Sequence, residues 1–193
     1  MTRIIAGIAG GRRLIVPEST TRPTSDRARE ALFSSLDSLL DLRGVRILDL
    51  YAGSGAVGLE ALSRGAEHAL LVESDPKAVA AIASNMKSVA LPGALLRRHA
   101  VERLACVAAD TAYDVAFADP PYQLPAQALT SVLAQLHHQG WLAEHAVVVV
   151  ERSSRDPAWV WPQSWEPLHS RQYGEATLWY GRTGQKEQAG EAS

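Results

Sequence analysis

The chain has 193 residues, of which 47% are hydrophobic and 21% charged, and its formal net charge is −2. This composition is typical of a globular protein with one α/β domain, and the net charge alone does not indicate a nucleic-acid partner. The single cysteine, Cys106, excludes an internal disulfide, and no Cys/His cluster has metal-ligand spacing. No signal peptide and no membrane-spanning apolar run is evident, so we expect a cytoplasmic protein without a metal.

Arginines cluster at the start of the chain. Residues 1–30 contain six arginines against three acidic residues, a local excess of three positive charges. Because a planar guanidinium donates bidentately to phosphate, this cluster favours contact with a nucleic-acid backbone. Within it, Arg3–Val16 alternates weakly and turns at Gly10–Gly11, which predicts a hairpin.

A helix is predicted from Asp26 to Leu40, after the good N-cap residues Thr24 and Ser25. Its apolar residues recur at spacings of three and four and predict one buried stripe: Ala28, Ala31, Leu32, Leu36, Leu39 and Leu40. Arg29 can form intrahelical ion pairs with Asp26, so a solvated, salt-bridged face is an alternative to RNA contact for Arg27 and Arg29.

Strands and helices then alternate through the middle of the chain. We predict strands at Val45–Tyr51, His68–Glu73, Ala94–Arg98, Tyr113–Ala118 and Ala146–Glu151, and helices at Val57–Arg64, Lys77–Val89, Val101–Ala108 and Pro125–His138. Such units imply a parallel sheet with right-handed crossovers. Two last strands, Glu166–Arg171 and Ala176–Gly181, would form a terminal hairpin with an antiparallel strand. We expect an N-terminal extension at 1–23, a main domain at 24–183 and a disordered tail at 184–193.

A glycine-rich turn follows the first of these strands, in the segment L-D-L-Y-A-G-S-G-A-V-G. Glycines there let the backbone approach a ligand, and the next helix offers free N–H groups. Glu73 ends the following strand, where a carboxylate can accept both hydroxyl protons of a ribose. The spacing also fits a nicotinamide dinucleotide. Asp49, at the strand end, would repel a pyrophosphate and suits an ammonium group instead.

The strand Tyr113–Ala118 is followed by Asp119, Pro120, Pro121 and Tyr122. The Asp119 carboxylate and the Pro120 carbonyl are suited to accept the two protons of an exocyclic amine and free its lone pair for attack on a methyl group. Prolines fix the loop, and Tyr122 offers a face on which a base stacks, worth ~1–3 kcal/mol. The motif predicts methyl transfer to a planar amine, and leaves guanine, adenine, cytosine and a glutamine amide open.

The glycine segment, with L-L-V-E-S-D after it, resembles the class I S-adenosylmethionine-dependent methyltransferases. Residues 3–181 resemble more narrowly the bacterial 16S ribosomal RNA guanine-N(2) methyltransferases, through R-I-I-A-G-I-A-G-G-R-R-L-I-V-P, T-R-P-T-S-D-R-A-R-E-A-L-F-S-S-L, F-A-D-P-P-Y and Y-G-E-A-T-L-W-Y. This implies a Rossmann-like fold with a mostly parallel seven-stranded sheet and an antiparallel C-terminal strand. It also implies S-adenosylmethionine as cofactor and methylation of one guanine of 16S RNA, of the guanine(966)-N(2) type, in the small ribosomal subunit or its assembly intermediate. Nothing indicates an obligate dimer, so we expect a monomer.

Residue reasoning and resemblance together assign the parts of the site. The cofactor would contact Asp49, Tyr51, Gly53, Ser54, Gly55, Glu73, Ser74, His99 and Ala100. Asp119, Pro120, Pro121 and Tyr122 would be catalytic, and RNA would contact Arg3, Arg12, Arg13, Arg22, Thr24 and Arg27. Relatives often carry Asp or Asn where this chain has His99, so the adenine is expected to be held mainly by the backbone at Ala100.

Other functions stay open on the sequence alone. A DNA adenine amino-methyltransferase also uses a D-P-P-Y motif, although this chain is small for a separate target-recognition domain. A glutamine-amide methyltransferase fits poorly with the basic start of the chain. A non-catalytic RNA-binding protein with a cofactor fold is disfavoured by the intact Asp119 and Tyr122.

Overall fold

The computed structural model describes residues 2–17 and 25–185. Its strands are β1 (Thr2–Arg3), β2 (Arg13–Leu14), β3 (Arg46–Leu50), β4 (His68–Glu73), β5 (Ala94–Arg98), β6 (Tyr113–Ala118), β7 (Leu142–Ser153), β8 (Glu166–Tyr173) and β9 (Ala176–Arg182). Its helices are α1 (Asp26–Leu39), α2 (Ala56–Ser63), α3 (Pro76–Val89), α4 (Val101–Leu104) and α5 (Ala126–His138). Two residues predicted to bind RNA, Arg22 and Thr24, lie outside the described residues, as does most of the predicted tail.

The main sheet has seven strands in the order β5-β4-β3-β6-β7-β9-β8. Strands β3 to β7 pair in parallel, and β9 is antiparallel to both β7 and β8. The predicted, mostly parallel sheet with one antiparallel C-terminal strand is therefore confirmed. The predicted N-terminal hairpin is a separate, short antiparallel pair of β1 and β2.

Each central strand contributes to two cores, because successive side chains point to opposite faces of a sheet. One core packs Ile47 and Val149 against α1, α2 and α3, with Ile4 from the N-terminal segment. The other packs Leu48 and Val148 against α4, α5 and four buried tryptophans. Val147–Val150 is buried throughout, as predicted for a strand covered on both faces.

The buried face of helix α1 differs from the predicted one. Ser25 caps it as expected, since its side chain accepts a hydrogen bond from the Ala28 N–H. Three of the predicted stripe residues are buried and three are only partly buried. Arg29, for which solvent or RNA was expected, is instead fully buried. That prediction was wrong, because the partners of Arg29 include residues distant in sequence.

Helix α4 is much shorter than predicted. It ends at Leu104, and the chain continues as a turn, so Cys106 is exposed. Strand β7 is longer than predicted at both ends, because Tyr113 of β6 pairs with Leu142 at its start and β9 continues the pairing as far as Ser153 at its end. Across the residues that the structure describes, no helix has the length and apolarity needed to cross a membrane.

Candidate active site

Four central strands end in one row at the carboxyl edge of the sheet. The register pairs Leu50 with Val72 on one side and with Ala118 on the other, and pairs Ala118 with Val150. The residues that follow are Glu73, Tyr51, Asp119 and Glu151. Since neighbouring strands are about 4.8 Å apart, these residues stand side by side. The strand order reverses between β3 and β6, which is where ligands bind in open α/β sheets.

The glycine turn between β3 and α2 requires both of its glycines, for different reasons. Gly53 and Gly55 have positive φ values of 57° and 75°. A Cβ on Gly55 would lie 2.7 Å from the Leu71 side chain, so Gly55 is needed for packing against β4. A Cβ on Gly53 would meet no atom closer than the Tyr51 carbonyl oxygen at 4.0 Å. Gly53 therefore leaves open space at the carboxyl edge.

Asp49 supports this turn from below. Its carboxylate accepts a hydrogen bond of 2.9 Å from the Gly58 N–H in the first turn of α2, and the residue is only 2% exposed. Burial raises the pKa of the Asp49 carboxyl to about 8; the hydrogen bond from Gly58 opposes this rise and the charge of Glu73 adds to it. The carboxyl is therefore largely neutral at pH 7, and a bound ammonium group would lower its pKa again.

Glu73 links the two sides of the predicted cofactor cleft. One carboxylate oxygen accepts a hydrogen bond of 2.9 Å from the Gly53 N–H, and the other accepts from the Ser74 and Asp75 N–H groups at 2.7 and 2.9 Å. A carboxylate has about four acceptor positions and three are used by these N–H groups, so about one remains for a ribose hydroxyl. Its backbone carbonyl also accepts a bond of 2.9 Å from the His99 N–H.

The other predicted cofactor residues surround the same cleft. The His99 ring nitrogen Nδ1 lies 2.9 Å from the Ala100 carbonyl oxygen, which turns this ring toward its own backbone. Tyr51 has a positive φ of 56° and donates from its hydroxyl to Glu102 at 2.8 Å. Burial, followed by the contact with Glu102, raises the pKa of Tyr51, so the hydroxyl stays protonated. Ser54, which belongs to the glycine turn itself, is buried.

The D-P-P-Y segment follows β6 directly. Asp119 is half-buried and Pro120 is buried, whereas Pro121 and Tyr122 are exposed, with Tyr122 at 58%. The Pro121 carbonyl accepts a hydrogen bond of 2.9 Å from the Leu124 N–H, which closes a tight turn. The Leu124 carbonyl in turn accepts from Arg152 of β7 at 3.1 Å. The loop is thus held while the Tyr122 ring faces outward.

A cavity of about 340 Å³ lies beside Tyr122, and we call it the target cavity. It is lined by the start of α1, the end of β7 and the β8–β9 turn: Ser25, Arg27, Ala28, Tyr122, Glu151, Gln172, Tyr173, Gly174, Glu175 and Ala176. Sequence reasoning had assigned no role to Glu151, Tyr173 or Glu175. The Y-G-E-A segment was part of the family resemblance, and this signal could have identified the turn.

The arginines predicted to bind RNA are dispersed. Arg27 is exposed and lines the target cavity. Arg12 donates to the carbonyls of Ser88 and Val89 at the end of α3, so it caps that helix. The Arg3 side chain is 64% exposed, 4.0 Å from the Asp26 carboxylate, and Arg13 is exposed on β2. Only Arg27 among these four lines the target cavity.

Glu60 and Ser63, two buried polar residues of α2, hold the N-terminal segment against that helix. Glu60 is fully buried, and its carboxylate accepts from the Ile5 and Ala6 N–H groups at 2.6 and 3.0 Å. Arg29 lies 3.9 Å from Glu60 and donates to Asp26 at 2.9 Å, which confirms the intrahelical pair with Asp26. Ser63 adds a hydrogen bond of 3.0 Å from the Ala9 N–H.

Asn85 of α3 connects the N-terminal segment to the glycine turn. Its amide oxygen accepts from the Ile15 N–H at 2.8 Å, and its amide nitrogen donates to the carbonyls of Ile15 and Ser54 at 2.8 and 2.9 Å. Asn85 is 1% exposed, so these partners replace water. Sequence reasoning missed this residue because its partners lie 70 and 31 positions away.

No group of three or more potential ligands that could hold a metal ion occurs among residues 2–17 and 25–185. The binding candidates of the described site are therefore the cofactor cleft between Gly53 and Glu73 and the target cavity beside Tyr122. Asp119 ends the strand between them.

Comparisons with known proteins agree with this architecture. The chain matches the family described as conserved hypothetical protein 95 over residues 2–182. It is 34% identical to ribosomal RNA small subunit methyltransferase D of Escherichia coli over 192 residues, which cover 98% of this chain and 92% of that protein. It is 39% identical over 153 residues to YlbH of Bacillus subtilis, provisionally named an rRNA methyltransferase, with 77% and 81% of the two chains covered. The solved structure of yhhF from Escherichia coli matches with a TM-score of 0.82 at 30% identity, covering 94% of this chain and 97% of that one.

Proposed function

The chain belongs to the conserved hypothetical protein 95 family, and we propose from this premise that it methylates the 2-amino group of one guanine in 16S ribosomal RNA. Its similarity to the two relatives supports the broader statement that it is an S-adenosylmethionine-dependent ribosomal RNA methyltransferase. The finer proposal names the guanine-966 type of position, the small-subunit particle as substrate and a cytoplasmic monomer as the active form.

The observation that carries the proposal is the position of Asp119. It directly follows β6. At the sheet edge it lies between Tyr51, which begins the glycine turn, and Glu151, which lines the target cavity. A base that stacks on the exposed ring of Tyr122 can bring an amine to the Asp119 carboxylate from the cavity side. The methyl donor is expected on the other side, over Gly53.

The residues of the cofactor cleft fit S-adenosylmethionine. This cofactor supplies a methyl group on a positively charged sulfur. Gly53 leaves open space where a side chain would stand, and Glu73 keeps about one acceptor position for a ribose hydroxyl. The backbone at His99 and Ala100 lies beside Glu73, because the His99 N–H donates to the Glu73 carbonyl, and we place the adenine ring against this segment.

Asp119 and Pro120 activate the amine in this proposal. The lone pair of an exocyclic amine is delocalised into the ring, which makes the amine a poor nucleophile. Two acceptors, the Asp119 carboxylate and the Pro120 carbonyl, hold its protons and favour tetrahedral geometry at nitrogen. Burial of Pro120 fixes its carbonyl relative to the strand end. Arg27, exposed at the cavity, is the described arginine best placed to contact a phosphate beside the flipped base.

The test is methyl transfer from labelled S-adenosylmethionine into small subunits purified from cells that lack this protein, followed by digestion to nucleosides. We expect label in N(2)-methylguanosine of 16S RNA. Label in adenosine would instead support the adenine alternative and remove the guanine assignment. Bound cofactor with no label in RNA, DNA or protein would support the non-catalytic alternative.

A further inference from the structure

Glu151 stands next to Asp119 at the carboxyl edge of the sheet. Ala118 pairs with Val150 in parallel register, so the next residue of each strand is Asp119 on β6 and Glu151 on β7. Val149 packs in the same core as α1, and Glu151, two residues on, lines the target cavity at the start of that helix. Glu151 is partly buried, as expected for a side chain in the wall of a cavity.

The sheet edge at Asp119 and the adjoining target cavity together present polar groups in an order that is chemically specific. Asp119 comes first along the sheet edge, Glu151 second, and Arg27 lines the same cavity from α1. The Watson–Crick edge of guanine presents the 2-amino donor, the N1–H donor and the O6 acceptor in sequence. Adenine presents an acceptor at N1 and a donor at its amine, so it does not match this order.

A carboxylate distinguishes these edges because it accepts hydrogen bonds and does not donate them. It binds the N1–H of guanine, whereas it faces a lone pair when the base has an acceptor at N1. Sites that hydrogen-bond a substrate group reject analogues lacking it more strongly than apolar pockets do, because their polar groups are left unpaired.

We propose that Glu151 is a specificity-determining residue that accepts the N1–H of the target guanine, while Asp119 and Pro120 accept the two protons of its 2-amino group. This rests on the proposed function, since it names how the same site selects its base. Arg27 has five N–H donors, so in this arrangement it donates to O6 as well as to a phosphate beside the base. In this proposal the D-P-P-Y motif activates the amine, and Glu151 selects guanine over other bases that carry such an amine.

The test uses 2-aminopurine, which keeps the methyl-accepting 2-amino group of guanine but has an acceptor at N1 and no O6, so the contribution of N1 is read from the change in preference when Glu151 is replaced. The methylated guanine is first mapped with the wild-type chain. Small subunits are then reconstituted with 16S RNA that carries either guanine or 2-aminopurine at that position. We expect the wild-type chain to prefer guanine about tenfold in the rate of transfer, because a hydrogen bond to the base edge is lost with 2-aminopurine.

The informative variant is Glu151→Gln, because an amide can accept from N1–H or donate to an N1 lone pair. Its preference for guanine over 2-aminopurine is expected to fall about tenfold relative to the wild-type chain. Glu175→Gln is the matched control, since Glu175 lines the same cavity from the β8–β9 turn, whereas Glu151 lies on the strand next to Asp119. This control is expected to keep the wild-type preference. A merely structural role for Glu151 would slow transfer to both bases equally.

Equal rates on the two bases with the wild-type chain, or an unchanged preference in Glu151→Gln, would overturn the role of Glu151 and leave the proposed function intact. Failure of the wild-type chain to label guanine would overturn the proposed function itself. If Glu151→Gln no longer binds the cofactor, or if its circular dichroism spectrum differs from that of the wild-type chain, Glu151→Ala is tested in its place. That variant removes the same carboxylate and is expected to lower the preference in the same direction.

Discussion

Asp119 is the residue whose removal tests the chemistry most narrowly. It directly follows β6, whereas the contacts that shape the glycine turn run through Asp49, Glu73 and Asn85. Asp119→Ala is expected to slow single-turnover methyl transfer at least about 10²-fold, because a preorganised acceptor at the reacting amine is lost. The dissociation constant for S-adenosylmethionine, measured by equilibrium dialysis, should stay within about twofold.

The matched control for Asp119→Ala is Asp110→Ala. Asp110 is exposed and precedes β6 at the opposite edge of the sheet. The control should leave both the rate and the cofactor affinity unchanged. Full transfer activity in Asp119→Ala would contradict the role given to this carboxylate.

Asp49 gives the fold a pH dependence of unusual sign. Its folded-state pKa is about 8, raised first by burial, while the unfolded-state value is near 3.8. Between these values the unfolded chain releases the proton and the folded chain keeps it, so this carboxyl makes the protein less stable as pH rises from about 4 to about 8. Asp49→Asn removes this titrating carboxyl, and the amide oxygen can still accept the hydrogen bond from the Gly58 N–H. Its stability relative to the wild-type chain should therefore rise between pH 5 and pH 8.

The measurement is urea unfolding of both chains at several pH values. Asp41→Asn is a suitable control, because the hydrogen bonds from Arg43 lower the pKa of the exposed Asp41 carboxyl to about 2. The Asp41 contribution changes only in the acid range, so its difference from the wild-type chain should be constant between pH 5 and pH 8. A constant difference for Asp49→Asn over the same range would contradict a neutral, buried Asp49.

At the scale of elements, α3 carries the connection between the N-terminal segment and the glycine turn. Asn85→Ala leaves the Ile15 N–H and the carbonyls of Ile15 and Ser54 without their partner. Unpaired polar groups in a buried position cost about 1–3 kcal/mol, so a loss of about 2–3 kcal/mol in unfolding free energy is expected. Because Ser54 belongs to the glycine turn, cofactor affinity should weaken as well.

Ser84→Ala controls for the substitution of a polar residue in α3. Ser84 is exposed on the same helix, one position before Asn85. It should change stability by less than about 0.5 kcal/mol. Wild-type cofactor affinity in Asn85→Ala would show that the turn is held without this residue.

Sequence patterns predicted the elements well where local signals determine them. The strand His68–Glu73 and the strand Tyr113–Ala118 have the predicted limits, because each apolar run is bounded by polar or turn residues. Helix α4 was predicted too long, since an apolar pattern does not specify where packing stops a short helix. Arg29 was misjudged because its burial depends on Glu60 of another helix.

At the scale of the whole molecule, the site depends on distant segments meeting at one sheet edge. The glycine turn and the D-P-P-Y motif were predictable, because both follow predicted parallel strands. The wall of the target cavity was not, because Ser25, Glu151 and Tyr173 come from three remote parts of the chain. Their meeting requires the β8–β9 pairing, which a sequence pattern indicates without its register.

RNA binding should depend on Arg27 more than on Arg12. Arg27 is exposed at the target cavity, whereas Arg12 caps α3 through Ser88 and Val89. Arg27→Ala is expected to reduce the slope of log affinity against log salt by about 0.7–0.9, the value for one lost phosphate contact. Arg12→Ala should leave that slope unchanged and lower the melting temperature. The opposite pattern in a filter-binding salt series would move the RNA surface to the N-terminal hairpin.

We propose that this chain, through Asp119, places a methyl group on one guanine of 16S RNA. The most direct measurement is mass spectrometry of 16S RNA nucleosides and fragments from cells that lack the chain, complemented with either the wild-type chain or Asp119→Ala at equal expression. The account predicts that one N(2)-methylguanosine is absent without the chain, returns with the wild-type chain and stays absent with Asp119→Ala. An unchanged set of methylated guanines in the cells that lack the chain would contradict it.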